Sequence, residues 1–240
     1  GKGRSAMRLY IVRHADPDYF ENTITVHGHA ESEALSRRLE WEGITKLFSS
    51  PVNRAIHTAE YTERRLGLRP VILPWAEELR GLWVPDAARG RIPAWDVAAE
   101  QLLEPELRRG HEDDLEYPEF TGLPLAEAVE CIRVHSDRFL AGLGYRREGH
   151  RYRVETVNTD RVAVFCHGGF GITWLALLLQ IPLPLAWAGF WLAPSSVTTV
   201  LFDQRSQEYA VPRCLNVSDI SHLYASGRAP RPRGIVANFE

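Results

Sequence analysis

Two strand ends in this sequence carry side chains that could do chemistry. Leu9-Tyr10-Ile11-Val12 reads as a short buried strand, and Arg13-His14 follow at its C-terminal end. Arg161 to Cys166 repeats the theme: an apolar run, then His167, then Gly168-Gly169 at the start of a helix pattern. Between these lie Arg54, near a helix start, and Glu77, after a further strand. In open α/β sheets, ligands bind beyond the carboxyl ends of strands. Guanidinium forks match the tetrahedral oxygens of a phosphate. A helix N-terminus adds N–H groups and a favourable dipole for an anion. Singly, each feature is ordinary. A strand-end histidine is more often structural, Arg54 alone reads as a solvated helix residue, and Glu77 beside Glu78 reads as a surface acid.

The elements that must position these groups alternate between strand and helix periodicity. Thr25 is a suitable N-cap for a helix around Gly28 to Trp41. Ile44 to Ser49 reads as a strand, and Ser50-Pro51 as the start of the next helix. Val71 to Leu73, Arg161 to Cys166 and Val197 to Phe202 read as strands, the last pairing with Tyr209 to Val211. Pro124 to Leu143 and Phe170 to Leu179 read as helices. The expected fold class is α/β: a three-layer αβα sandwich with a mainly parallel central sheet. Residues 84 to 123 mix prolines, glycines and charges and read as an inserted cap or lid. Asp16-Pro17-Asp18 starts a loop, and the Arg- and Pro-rich run Arg228 to Arg233 reads as a surface tail.

The expected organisation is one domain over residues 7–223, with a C-terminal tail over 224–240. Gly1 to Ala6 precede Met7 and read as an expression remnant. A chain of 240 residues has room for one sizeable core. Its net charge of −3 argues against a generic binder of nucleic acid or anionic membrane. The longest apolar region, Phe170 to Ala193, is broken by Gln180, Pro182, Pro184 and Gly189, so it is not a membrane span. Cys131, Cys166 and Cys214 form no CxxC pair, and reduced thiols in a cytoplasm are expected. Oligomeric state is not legible.

Taken in order, the motifs resemble the histidine phosphatase superfamily, the phosphoglycerate-mutase-like family. Its opening Arg-His-Gly stands here as Arg13-His14-Ala15. Its Ser-Ser-Pro-x-x-Arg-Ala-x-x-Thr-Ala block is complete from Ser49 to Ala59. Its second-histidine block stands as VAVFCHGGFG, with His167. Two departures adjoin the first motif: Ala15 replaces the usual Gly, and Asp16-Pro17-Asp18 replaces the usual Glu-Thr. The family acid falls in a Leu-x-Glu stretch with Gly four residues on and Trp six residues on. Glu77, Gly81 and Trp83 fit that register, which favours Glu77 over Glu78; Asp16, Asp18 and Asp86 remain open.

The resemblance implies a phosphatase acting on a small phosphorylated metabolite. His14 would attack phosphorus as a neutral imidazole, its protonation opposed by the arginines, and form a phosphohistidine. Arg13, Arg54 and the Gly168 helix end would hold the phosphoryl oxygens, with His167, when protonated, as a third cationic donor. Glu77 would protonate the leaving alcohol and then deprotonate water. No metal or other cofactor is called for, because cationic side chains neutralise the phosphoryl charge. Alternatives are a phosphomutase, a phosphate-binding pseudoenzyme, or recruitment of the scaffold for a carboxylate substrate. Trp83 and Trp95 read as packing residues that could also line the leaving-group pocket. His27, His29 and His57 read as solvated or supporting residues, and His111, His135, His150 and His222 as surface or packing ones.

Overall fold

The computed structural model describes residues 6–103, 117–236 and 239. The chain starts with β1 (Arg8–Arg13), β2 (Pro17–Asp18), β3 (Thr23–Ile24), α1 (Val26–Glu42), β4 (Lys46–Ser49) and α2 (Asn53–Leu66). There follow β5 (Val71–Ile72), β6 (Trp83–Asp86), β7 (Gly90–Pro93), α3 (Ala99–Leu102) and α4 (Leu125–Gly142). The last part holds β8 (Tyr145–Glu148), β9 (Arg151–Val154), β10 (Arg161–Cys166), α5 (Gly168–Leu179), α6 (Leu183–Gly189), β11 (Val197–Asp203), β12 (Tyr209–Asp219) and α7 (Ser221–Ala225).

Side-chain alternation along β1 explains why its apolar run is unbroken. Leu9 and Ile11 join one buried cluster with Ile132, Phe170 and Trp174. Tyr10 and Val12 join another with Leu35, Leu39 and Ala59. The strand thus feeds a core on each face, closed by α4 and α5 on one side and by α1 and α2 on the other. An eight-stranded sheet runs in the order β5-β4-β10-β1-β11-β12-β9-β8. The block β5-β4-β10-β1 is parallel. The other half is antiparallel. The α/β class holds, in a large mixed sheet whose parallel block carries the motifs. The β8–β9 hairpin escapes sequence reading because its segment, YRREGHRYRV, is dominated by charge. Tyr145 and Tyr152 anchor it in the core, with Val154 packed partly buried beside them.

Local signals place α1 well. Thr25 caps it, its Oγ1 accepting from the Gly28 N–H at 3.0 Å. α2 starts later than Ser50-Pro51 suggests. Its first helical residue is Asn53, because the Ser50 hydroxyl is turned toward His167 and accepts from the Val52 N–H. Within the expected cap region, β6 and β7 form a hairpin. Leu82, Val84, Ile92 and Phe120 pack there with Ile172 of α5 and Trp187 of α6. The stretch 104–116 of that region, with His111, lies outside the described residues. The segment Arg228 to Arg233 is no free surface tail. Arg231 and Arg233 both pair with Asp16, a fully buried carboxylate that requires counter-charge. Among the described residues, no helix is long and apolar enough to cross a membrane.

Gly28 shows how tightly the loop after β1 is held. A Cβ built there would lie 2.5 Å from the Asp16 carbonyl oxygen and 3.0 Å from the Ile24 side chain. Gly28→Ala is therefore expected to lower the unfolding free energy by about 1–3 kcal/mol, read by denaturant titration.

Candidate active site

β1 and β10 lie side by side and parallel, with Arg13 opposite Cys166. The next residues, His14 and His167, consequently leave the sheet as neighbours, their ring centroids 5.3 Å apart. The His14 backbone is pinned at both ends. Its N–H donates to the Cys166 carbonyl at 3.0 Å, and its carbonyl accepts from the Ser195 N–H at 2.9 Å. Its Nδ1 lies 2.8 Å from the Ala15 carbonyl, an acceptor only, so the proton sits on Nδ1. The lone pair is then on Nε2, where the Arg54 Nε–H donates to it at 3.3 Å. Ala15, the departure from the family Gly, is fully buried, and its N–H donates to Thr58 Oγ1 at 2.9 Å.

Arg13 is buried, and its Nη1 donates to the carbonyls of Leu192 and Arg233. Its Nε is buried and, among the described residues, has no hydrogen-bond partner. A Cβ on Gly168 would lie 3.4 Å from that Nε, so the bare Gly168 backbone faces the guanidinium. Arg13, His14, Arg54, His167 and Gly168, which the sequence places far apart, therefore meet in one place.

Both imidazoles titrate well below the usual histidine range. For His14 the main cause is burial, followed by the charges of Arg13, His167 and Arg54. For His167 it is burial, then Arg54 and Arg13. Protonation, the condition on which His167 would be a third cation, is thus disfavoured here. Two guanidiniums already occupy the space, and a further charge away from water is disfavoured. His167 Nε2 lies 2.8 Å from Ser50 Oγ, and among the described residues no group pairs with its buried Nδ1. Ser50 Oγ also accepts from Val52 N–H and has its own hydrogen to give to Nε2. With Ser50 as that donor, the His167 proton sits on Nδ1, available as a neutral donor.

Neighbouring acids are sorted just as sharply. Glu77 turns outward and pairs with exposed Arg80 at 2.7 Å. Glu78 turns inward. It accepts from the N–H groups of Gly169 at 3.1 Å and Phe170 at 2.7 Å, at the N-terminus of α5. Burial raises its pKa, against the pull of these N–H groups and of Arg13. Arg54 also feels its charge. The motif register favoured Glu77, whereas the carboxyl that faces the N-terminus of α5 beside the two histidines is Glu78. Its placement follows from Trp75, which wedges among Phe170, Trp174 and Phe139 and fixes the chain three residues earlier. Two of the α5 N–H groups expected for an anion are occupied by Glu78. Asp16 and Asp18 are committed elsewhere, Asp18 to the N–H groups of Phe20 and Glu21. Asp86 caps its own turn through the N–H groups of Ala88 and Arg89.

The loop at the β2–β3 hairpin supplies residues that no motif announced. Tyr19 meets His14 edge-on, with the Arg54 guanidinium 5.2 Å from its ring centre. Asn22 Oδ1 accepts from Arg54 at 3.3 Å. Ser50 and Thr58 lay within the Ser49–Ala59 block, so their types and spacing were a usable signal. Trp95 also reaches the site: a Cβ on Gly169 would lie 2.5 Å from its ring and 2.8 Å from Glu78 Oε1. Trp83 is exposed under Arg91 instead. His57 and His29 hold Thr23 and Tyr61.

The fold and this cluster define a phosphate-handling class, and comparison with known families agrees. Residues 9–213 match the model of the histidine phosphatase superfamily (branch 1), and the chain belongs to that superfamily of phosphatase enzymes. No curated protein sequence matches it. Similar solved structures include a phosphoserine phosphatase from Entamoeba histolytica in complex with 3-phosphoglyceric acid. It has TM-score 0.62 and 14% identity, covering 90% of this chain and 99% of that one. A mycobacterial glucosyl-3-phosphoglycerate phosphatase in complex with inorganic phosphate has TM-score 0.61 and 18% identity, covering 90% and 99%.

Depressed imidazole pKa values have a stability consequence. Below the ordinary value of 6.5 the unfolded chain takes up protons that folded His14 and His167 refuse, so stability falls as pH drops. His167→Gln removes one such group. Between pH 7.5 and 5.5 the variant is expected to lose less unfolding free energy than the unaltered protein, by up to about 1.4 kcal/mol per pH unit.

Proposed function

We propose that this protein is a phosphomonoesterase that hydrolyses a small phosphorylated metabolite through a phosphohistidine on His14. The observation that carries this reading is the orientation of His14: Nδ1–H tied to the Ala15 carbonyl, Nε2 directed at Arg54. An incoming phosphoryl group takes over the Arg54 donor and the partnerless Nε of Arg13. Neutral His167 adds its Nδ1–H. The guanidiniums then balance a dianion whose charge spreads over the equatorial oxygens.

The Nε2 lone pair of His14 forms the N–P bond as the P–O bond to the leaving group breaks. Glu78, whose pKa is raised by burial, gives its proton to the departing alkoxide. Its carboxylate next takes a proton from water. That water attacks phosphorus, the N–P bond breaks, and His14 returns to its neutral form. Tyr19 is exposed beside His14 and Arg54, where the leaving group would emerge. The similar structures, a phosphoserine phosphatase bound to phosphoserine and a glucosyl-3-phosphoglycerate phosphatase, support a small phosphorylated molecule as the substrate.

Activity assays test these roles. His14→Ala is expected to abolish phosphate release from an aryl phosphate, and release by the unaltered protein needs no bisphosphate primer. Equal, slow release by protein and variant would leave only a phosphate-binding module. Glu78→Gln is expected to slow hydrolysis of an alkyl phosphate by roughly 10²–10⁴-fold. Glu77→Gln is expected to stay within about twofold of the unaltered protein. The alkyl phosphate rate should also fall as pH rises through the raised pKa of Glu78.

A further inference from the structure

Two features of the sequence stand outside the mechanism: Asp16, where the family motif has another residue, and the Arg-rich segment near the C-terminus. They meet at the active site. Arg233 Nε donates to Asp16 Oδ1 at 2.9 Å, and Arg231 Nη1 to Oδ2 at 3.4 Å. Asp16 is fully buried and also accepts from Thr25 Oγ1 at 2.7 Å. These contacts draw the backbone of residues 231–234 across Arg13. The Arg233 carbonyl accepts from Arg13 Nη1 at 2.9 Å and from Trp191 Nε1 at 3.2 Å. Gly234, at φ +74°, comes so close that a Cβ there would lie 3.0 Å from Arg13 Nη2. Beyond it, the Val236 N–H donates to Asp96 at 2.8 Å.

We propose that residues 231–234 form part of the anion site: latched to Asp16, they supply the carbonyl that orients the Arg13 guanidinium toward the phosphoryl group. The inference rests on the phosphatase reading. Arg13 Nη1 is held by two carbonyls, Leu192 from the connection before β11 and Arg233 from the segment, while Nε, without a partner among the described residues, faces Gly168. A guanidinium is planar, so fixing Nη1 also fixes the direction of Nε. Asp16 serves as the anchor. Its carboxylate is buried, and Arg231 and Arg233 are the cations paired with it. Without them it is an uncompensated buried charge at the base of the catalytic loop. Arg233 and Asp16 are thus positioning residues that act through Arg13.

Direct titration of inorganic phosphate into the full chain by calorimetry tests this without relying on turnover. The Arg231 and Arg233 side chains are each more than two-fifths exposed, so Arg231→Ala/Arg233→Ala should fold; its melting temperature verifies that. The double variant is expected to bind phosphate about ten- to hundredfold more weakly. KM for an aryl phosphate should rise with it while the pH dependence set by Glu78 stays in place. Arg233→Lys, which keeps a cation opposite Asp16, should recover most of the affinity. If the double variant binds phosphate as tightly as the unaltered protein, or more tightly, the inference is overturned while the phosphatase reading stands. If the unaltered protein neither binds phosphate nor hydrolyses an aryl phosphate, both fall.

Discussion

The whole site depends on one adjacency: parallel β1 and β10 end at the same level, so that each delivers a histidine to the same point. Packing two imidazoles among guanidiniums and away from water makes their cationic forms unfavourable. A nucleophilic imidazole must be neutral, and here the crowding keeps it so. The charges that would hold a phosphate are the same charges that leave His14 with a usable lone pair. In the proposed mechanism a single arrangement therefore serves both binding and reactivity.

Around this centre, the surrounding contacts fix directions. The Ala15 carbonyl sets the tautomer of His14, and Ser50 holds Nε2 of His167. Thr58 ties the loop after β1 to α2 by accepting from Ala15 N–H, and passes its own hydrogen to the Arg54 carbonyl. Glu78 lies across the first turn of α5, where helix N–H groups favour the ionised form and burial opposes it. Burial prevails, which suits a group that must hold a proton before it can donate one. The aromatic cluster around Trp75 makes that placement rigid.

Much of this was legible in the sequence. Unbroken apolar runs marked β1 and β10, and Thr25 marked the start of α1. The ordered motifs named Arg13, His14, Arg54 and His167, because those positions combine an unusual residue type with a fixed place at a strand or helix end. Local pattern failed where long-range geometry decides. Glu77 and Glu78 are adjacent and chemically equivalent, and only the packing of Trp75 and the position of α5 determine which one turns inward. The protonation of His167 depends on charges brought near it by other strands. The segment with Arg231 and Arg233 looked solvated because its composition is polar, yet its partner Asp16 lies over two hundred residues away in the chain. The β8–β9 hairpin was hidden by its many charges, which outnumber the inward-facing Tyr145, Tyr152 and Val154.

The most direct test of the central claim is to locate the phosphoryl group on the enzyme during turnover. Rapid quench of the protein with a ³²P-labelled or ³¹P-observed aryl phosphate, under alkaline conditions that preserve phosphohistidine, followed by peptide mapping, reports both residue and ring nitrogen. The account predicts a label on His14 at Nε2, since Nδ1 is occupied by its proton and the Ala15 carbonyl. A label on His167, on Nδ1 of His14, or no covalent label while phosphate is still released would contradict it.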